Sequence, residues 1–207
     1  MAAVIDYFLT PQSPWMYLGH QRFCEITTRR GCEVRVKPCD LGRVYAASGG
    51  LPLHQRAQQR QSYRLIELQR FSTWLGIPLN PHPKFFPVAP EKAARLILAA
   101  GFGEPGHERV AQVMRLVGLI AEAIWVKDHD IADDTTLLAL ADRAGFDGPA
   151  VFRASTEPPI EEQYHRVTEE AIKAQVFGAP TYVFRGELFW GQDRLDFLER
   201  ALDHVRT

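Results

Sequence analysis

The chain has 207 residues, 46% of them hydrophobic and 24% charged, with a formal net charge of −1 at pH 7. At roughly 150 residues per domain this is one or two folding units of ordinary globular composition. Disorder, collagen-like repeats and a coiled-coil rod are excluded as whole-chain descriptions, and no net positive field draws the chain to nucleic acid or anionic lipid.

Val4–Leu9 is a short apolar run suited to a buried strand. After the break at Thr10-Pro11-Gln12, Ser13-Pro14 puts a serine N-cap before a proline at the first helical position. The helix it starts runs to about Arg30 and stops at Gly31. Glu33–Pro38 is a second strand, so the opening is a right-handed βαβ unit. Beyond the loop Ser48-Gly49-Gly50-Leu51-Pro52, apolar residues recur at helical spacing (Leu65, Leu68, Phe71, Leu75). Prolines 78, 81, 83, 87 and 90 then mark an irregular connector. Helical patterns resume over Glu91–Ala100, His107–Lys127, Asp134–Ala144 with an aspartate cap, and Pro159–Gln175. Thr181–Phe184 and Leu188–Trp190, joined through Arg185-Gly186-Glu187, read as a hairpin. Asp193–Val205 closes the chain as an amphipathic helix. The two β-bearing ends must share one sheet, because neither is large enough to stand alone. The domain expectation is therefore a discontinuous unit, 1–46 with 176–207, interrupted by an all-helical unit at 47–175.

Cys24, Cys32 and Cys39 are odd in number and none are spaced C-x-x-C, so the dithiol and zinc spacings are absent. Cys24 and Cys32, among apolar neighbours, read as small buried hydrophobes. The histidines at 54, 82, 107 and 129 have no ligand spacing, and no metal site is expected. Arg56, Arg60 and Arg64 form an i, i+4 stripe that reads as a solvated helix face. The start of the chain carries neither a basic segment nor a cleavage motif, and no run of 18 apolar residues occurs. A cytoplasmic protein that neither spans a membrane nor binds nucleic acid is the expectation.

βαβ, helices, then ββα is the connectivity of a thioredoxin-like α/β fold with a helical insertion. Ser13-Pro14-Trp15-Met16 stands where redox members carry C-x-x-C. Phe177-Gly178-Ala179-Pro180-Thr181 looks like the loop that presents a cis-proline beside that helix, and Phe189-Trp190-Gly191-Gln192-Asp193-Arg194-Leu195 like the turn into the last helix. With Pro38-Cys39-Asp40-Leu41-Gly42, Asn80-Pro81, Phe86-Pro87 and Trp125 through Asp130-Ile131, the chain resembles the 2-hydroxychromene-2-carboxylate isomerases of the DsbA-like thioredoxin superfamily, and the related kappa-class glutathione transferases.

That resemblance implies glutathione as cofactor, a small aromatic substrate and a homodimer. It also implies interconversion of 2-hydroxychromene-2-carboxylate and trans-o-hydroxybenzylidenepyruvate, or a similar aromatic-catabolism intermediate, through a transient glutathione thiolate adduct. Ser13 is then the catalytic residue, donating to the glutathione sulfur at a helix tip that favours an anion. Ala179, next to a cis Pro180, pairs with the cysteinyl part, and Gln192 and Asp193 take the γ-glutamyl end. Trp15, Tyr17, Asn80 and Phe86 fall on the substrate side. Local sequence alone also reads Ser13 and Asp193 as plain helix caps, and the aromatics as core. The chain departs from the family pattern near 46, 50 and 89, where a lysine and two asparagines are usual; Arg43, Arg56 and Lys84 are candidate replacement cations. A glutathione transferase or peroxidase, and a non-catalytic thioredoxin-like binding module, are the competing readings.

Overall fold

The computed structural model describes residues 2–103 and 106–203. Strand β1 (Val4–Leu9) leads through Ser13 into α1 (Pro14–Arg30), and β2 (Glu33–Pro38) follows. A short α2 (Leu41–Ser48), a 3-10 turn at Leu53–Gln55 and α3 (Gln58–Leu75) carry the chain to the proline-rich connector. The helical part continues as α4 (Glu91–Ala100), α5 (His107–Trp125), α6 (Asp134–Ala144), α7 (Gly148–Ser155) and α8 (Pro158–Lys173). Strands β3 (Thr181–Phe184) and β4 (Glu187–Trp190), a 3-10 turn at Gln192–Arg194 and α9 (Leu195–Asp203) complete it.

The sheet has the order β2-β1-β3-β4. β2 runs parallel to β1, with Ile5 opposite Val34, and β3 antiparallel to it, with Tyr7 opposite Tyr182. The parallel pair needs a crossover, which α1 supplies, whereas β3 and β4 close through a two-residue turn. That turn is Arg185-Gly186, both at positive φ (52° and 82°), the twist-compatible geometry for a tight hairpin. β4 accordingly starts at Glu187, one residue earlier than the sequence suggests.

α1 starts and stops as its sequence dictates: Ser13 caps it in extended conformation, and Gly31 ends it at φ 64°. A continuous buried cluster runs from the sheet (Ile5, Tyr7, Phe8, Leu9) into the helical part (Leu96, Val117, Ile124, Trp125). α1 packs against α5 on one side and, through Gly19, against the turn at Gln192. A side chain at Gly19 would place Cβ 2.6 Å from Gln192 Cβ, so a glycine is what lets the α1 face and the 192 turn meet.

Several sequence expectations shift. α2 and α7 were not foreseen; Asp40 and Asp147 cap them, and each has few buried residues to betray it. α6 keeps its expected bounds and aspartate cap, which is Asp133. The final helix begins at Leu195, because residues 192–194 form a 3-10 turn; Val205 lies outside the described residues. Cys24 and Cys32 are half-buried, beside the edge strand β2, while Cys39 is buried. The arginine stripe is neither a single helix face nor uniformly solvated: Arg56 lies before α3, and Arg56 and Arg64 are both half-buried.

Candidate active site at the tip of the first helix

The first turn of an α-helix leaves its N–H groups without intrahelical partners. In α1 most of these donors are disposed of locally. Pro14 has none, Met16 N–H donates to Ser13 Oγ at 3.2 Å, and Tyr17 N–H to the Ser13 carbonyl at 3.0 Å. Trp15 N–H has no partner among the described residues. The Ser13 hydroxyl donates its hydrogen to the Ala179 carbonyl at 3.1 Å, bridging the α1 tip to a loop 166 positions away. Ser13 is only 6% exposed, so this bridge is part of the packed interior.

The loop that receives the bridge is held from three sides. The Ala179–Pro180 peptide is cis, as the resemblance implied; so is Phe86–Pro87, which was not foreseen. Thr181 Oγ1 donates to Gly178 O at 2.8 Å, and Gly191 N–H to Pro180 O at 2.9 Å. Gly178 lies directly under the Trp190 indole, where an added Cβ would approach Nε1 to 2.3 Å. Trp190 is half exposed and stacks obliquely on Phe177. After Gly191, which takes φ 101°, the N–H groups of Gln192 and Asp193 carry no hydrogen bond among the described residues. The Asp193 carboxylate is exposed and lies 3.3 Å from Arg194. Gln192 is 2% exposed, and both polar atoms of its side chain are sealed in without a partner. Its Cβ packs against Gly19 of α1, and its exposed hydrogen-bonding capacity is the backbone N–H.

The four residues assigned to the substrate side separate into two pairs. Trp15 packs edge-on against Phe71 of α3, with ring centroids 5.8 Å apart. Phe86 packs against Trp125 at 4.9 Å, in a segment tied to the α1 tip by Val88 N–H donating to Gln12 Oε1 at 3.3 Å. Tyr17, by contrast, donates its hydroxyl to Pro78 O at 2.8 Å and lines a concavity with His20, Gly118 and Glu122 that does not include Ser13. Asn80 is also committed elsewhere: its amide donates to the Asp128 carboxylate and its oxygen accepts from His82 N–H. It pins the proline-rich connector to the end of α5.

With this geometry in hand, comparison with known proteins is specific. The model of the DSBA-like thioredoxin domain matches residues 4–203. The chain belongs to the DSBA-like thioredoxin family. It is 30% identical over 205 residues to the 2-hydroxychromene-2-carboxylate isomerase of Pseudomonas putida, covering 98% of this chain and 95% of that protein. It is 25% identical over 211 residues to glutathione S-transferase kappa 1 of Rattus norvegicus, covering 96% and 90%. A solved structure of a 2-hydroxychromene-2-carboxylate isomerase superposes with a TM-score of 0.80 at 24% identity, over 98% of this chain and 95% of that one. The fold of this DSBA-like chain is thus the mixed four-stranded sheet with a helical insertion.

Titrating groups near the site limit its chemistry. Burial pushes the Cys24 thiol up to about 11 and Cys39 up to about 12, and raises Cys32 as well. None of the three offers an appreciable thiolate at neutral pH. His20 lies one helical turn and a half below the tip, with Nε2 2.8 Å from Met114 O and Nδ1 3.2 Å from the Tyr7 hydroxyl. Burial lowers its pKa to about 4, so the ring is neutral, donating from Nε2 and accepting at Nδ1. Sequence reasoning passed over His20, whose only signal was a histidine on the apolar face of α1. It also passed over Arg64, read as one member of a solvated stripe.

Proposed function

We propose that this chain is a glutathione-dependent isomerase acting on 2-hydroxychromene-2-carboxylate or a closely similar planar, unsaturated acid. The observation that carries the reading is the Ser13 hydroxyl, held at the tip of α1 between Met16 N–H and the Ala179 carbonyl. The protein's own thiols are all raised by burial, so a nucleophilic sulfur has to be brought in. Bound glutathione supplies that sulfur and is returned unconsumed.

The residues present fit the tripeptide. Two unpartnered backbone N–H groups, at Gln192 and Asp193, suit a carboxylate, and the exposed Asp193 carboxylate suits the neighbouring ammonium. Ala179 offers backbone groups beside the tip. Trp15 N–H is a free donor at the positive end of α1, where an anion is favoured. The Ser13 hydroxyl has a single hydrogen, committed in this structure to Ala179 O. When a ligand amide takes over the Ala179 carbonyl, Ser13 can turn that hydrogen toward an anion at the tip while still accepting from Met16 N–H. Ser13 and Trp15 N–H then hold the negative charge, and Trp15 and Phe86 flank the reacting carbons.

The test is direct. Purified protein is incubated with 2-hydroxychromene-2-carboxylate with and without glutathione, and the product is followed by its ultraviolet spectrum while free glutathione is titrated. Isomerisation that requires glutathione and leaves its concentration unchanged supports the reading. Net consumption of glutathione would move the assignment to a kappa-like transferase, and absence of glutathione binding by calorimetry would leave a binding module. The homodimer implied by the resemblance belongs to the same proposal and is tested by sedimentation equilibrium.

A further inference from the structure

Arginine is rarely taken out of water unless its five N–H donors find acceptors. Among the described residues Arg64 is the one arginine that is not exposed and yet has neither a hydrogen bond nor an ion pair. The other partly covered arginines are all engaged. Arg22, Arg30 and Arg95 pair with carboxylates, and Arg56 donates to Leu51 O at 2.8 Å and to the Tyr45 hydroxyl at 3.2 Å.

What surrounds Arg64 is aromatic and cationic. Its guanidinium lies over the Phe86 ring at 5.1 Å and near the Trp125 ring at 5.9 Å. Burial and the repulsion of Arg56 lower its pKa to about 10, partly offset by Tyr45. The Arg64 guanidinium is thus packed against aromatic rings with no acceptor among the described residues. A covered guanidinium without an acceptor costs stability, and binding an anion offsets that cost.

Its position connects it to the reacting end. Arg64, Leu68 and Phe71 share the inward face of α3 at i, i+4 and i+7, and Phe71 meets Trp15, two residues from Ser13. On the other side Phe86 belongs to the segment fastened to Gln12, next to Ser13. Gly50, one of the positions where the family pattern is broken, sits under the Tyr45 ring, where an added Cβ would come within 2.4 Å of Cδ1. Tyr45 thus occupies the space of a side chain at 50, and its hydroxyl accepts from Arg56 at 3.2 Å.

We propose that Arg64 is the carboxylate-recognition site for the substrate, its guanidinium presented at the Phe86 ring to a planar conjugated acid. This deepens the isomerase reading of the Ser13 site and rests on it. The aromatic floor is the reason to assign the carboxylate to the substrate and not to the glycine end of the tripeptide: a flat conjugated acid can lie on Phe86 while its carboxylate takes the guanidinium fork.

The experiment compares wild type with Arg64→Met and Arg64→Lys, each first checked by circular dichroism and thermal melting. Calorimetry uses glutathione, trans-2-hydroxycinnamate and the methyl ester of that acid; steady-state kinetics uses 2-hydroxychromene-2-carboxylate. Losing a hydrogen bond to a charged partner corresponds to about a tenfold loss of affinity or more. The expected result is that Arg64→Met weakens the cinnamate and raises KM by about that factor, with Arg64→Lys intermediate. Wild type should prefer the acid to its ester, and glutathione affinity should change less than about twofold. Unaltered cinnamate affinity and KM in Arg64→Met overturn the site while leaving the isomerase intact. A parallel loss of glutathione affinity overturns it too, because the carboxylate received would be that of the tripeptide. Arg64-dependent cinnamate binding in a wild-type protein that isomerises nothing upholds the carboxylate site and removes the isomerase reading.

Discussion

Ser13→Ala removes one oxygen and two hydrogen bonds, the cap on Met16 N–H at 3.2 Å and the bridge to Ala179 O at 3.1 Å. Loss of a serine cap costs about 1 kcal/mol. A buried carbonyl left without its donor adds roughly another 1 kcal/mol. The total of about 2 kcal/mol corresponds to a fall in Tm of about 4–8 °C for a chain of this size. The effect on rate has a different origin. A hydrogen bond to an ionised acceptor is worth about 1.5–3 kcal/mol, so turnover should fall about 10- to 150-fold. The pKa of the bound thiol should rise by about one to two units for the same reason. Two further variants separate the roles. Glycine is nearly as good a cap as serine, so Ser13→Gly should recover about half of the lost stability while staying as slow as alanine. Ser13→Thr keeps the hydroxyl and should keep both stability and rate. Thermal melts, turnover and the ultraviolet thiolate absorbance of bound glutathione read the three quantities. Wild-type turnover in Ser13→Ala and Ser13→Gly, with only the melts affected, would reduce Ser13 to a helix cap and refute the argument.

Other consequences are equally concrete. His20 is neutral in the fold, with a pKa near 4 against 6.5 when unfolded, so the unfolded chain binds the extra proton and stability falls as pH drops through that window. The loss should reach about 3 kcal/mol near pH 4, and denaturant melts of His20→Gln should show a flatter pH dependence than wild type. Gly19→Ala would ordinarily stabilise a helix interior by about 1 kcal/mol. Here the new Cβ meets Gln192 at 2.6 Å, so a net destabilisation of about 1–3 kcal/mol, with weaker glutathione binding from the displaced 192 turn, is expected by melting and calorimetry. Asp193→Asn removes the exposed carboxylate without changing shape; glutathione affinity should fall about tenfold while Tm stays within 1–2 °C of wild type.

How much of this was legible in the sequence depends on whether the signal was local. Ser13-Pro14, Gly31 and the Arg185-Gly186 turn are written in residues whose backbone preferences act over a few positions, and α1 and the hairpin lie where those residues put them. α7 carried a comparable signal, Asp147 before Gly148-Pro149, but its eight residues bury only two side chains, Val151 and Ser155, so no periodicity reinforced the cap. Asn80, Tyr17 and Gln192 show the opposite problem. Each has a polar side chain suited to a ligand, and what surrounds it is distant in sequence: Asp128 and Pro78 accept from Asn80 and Tyr17, while Gln192 packs its Cβ on Gly19 and leaves its amide without a partner among the described residues. The misreading of Arg64 has the same cause. Its i, i+4 neighbours suggested a wet helix face, and the ring that covers it, Phe86, is brought in by a connector whose path no residue of α3 encodes.

The chemistry of the tip explains why a serine, and not a thiol, suits the proposed reaction. A cysteine at the start of α1 would sit at the positive end of the helix, where its pKa is lowered, and would form mixed disulfides with glutathione. A serine can do neither. It can cap the helix, give one hydrogen to an anion and give it up again, and the 3.1–3.2 Å bonds at Oγ are long enough to be exchanged. Because Pro14 and the two capped amides leave only Trp15 N–H free, the helix tip alone holds an anion weakly. In the proposed reaction the hydroxyl carries the main stabilisation, and Ala179 O, which accepts from Ser13 in this structure, frees it when another donor takes its place. Under the proposed function, sulfur bound in this way would be activated without becoming covalently attached to the protein, as a cofactor that leaves unchanged requires.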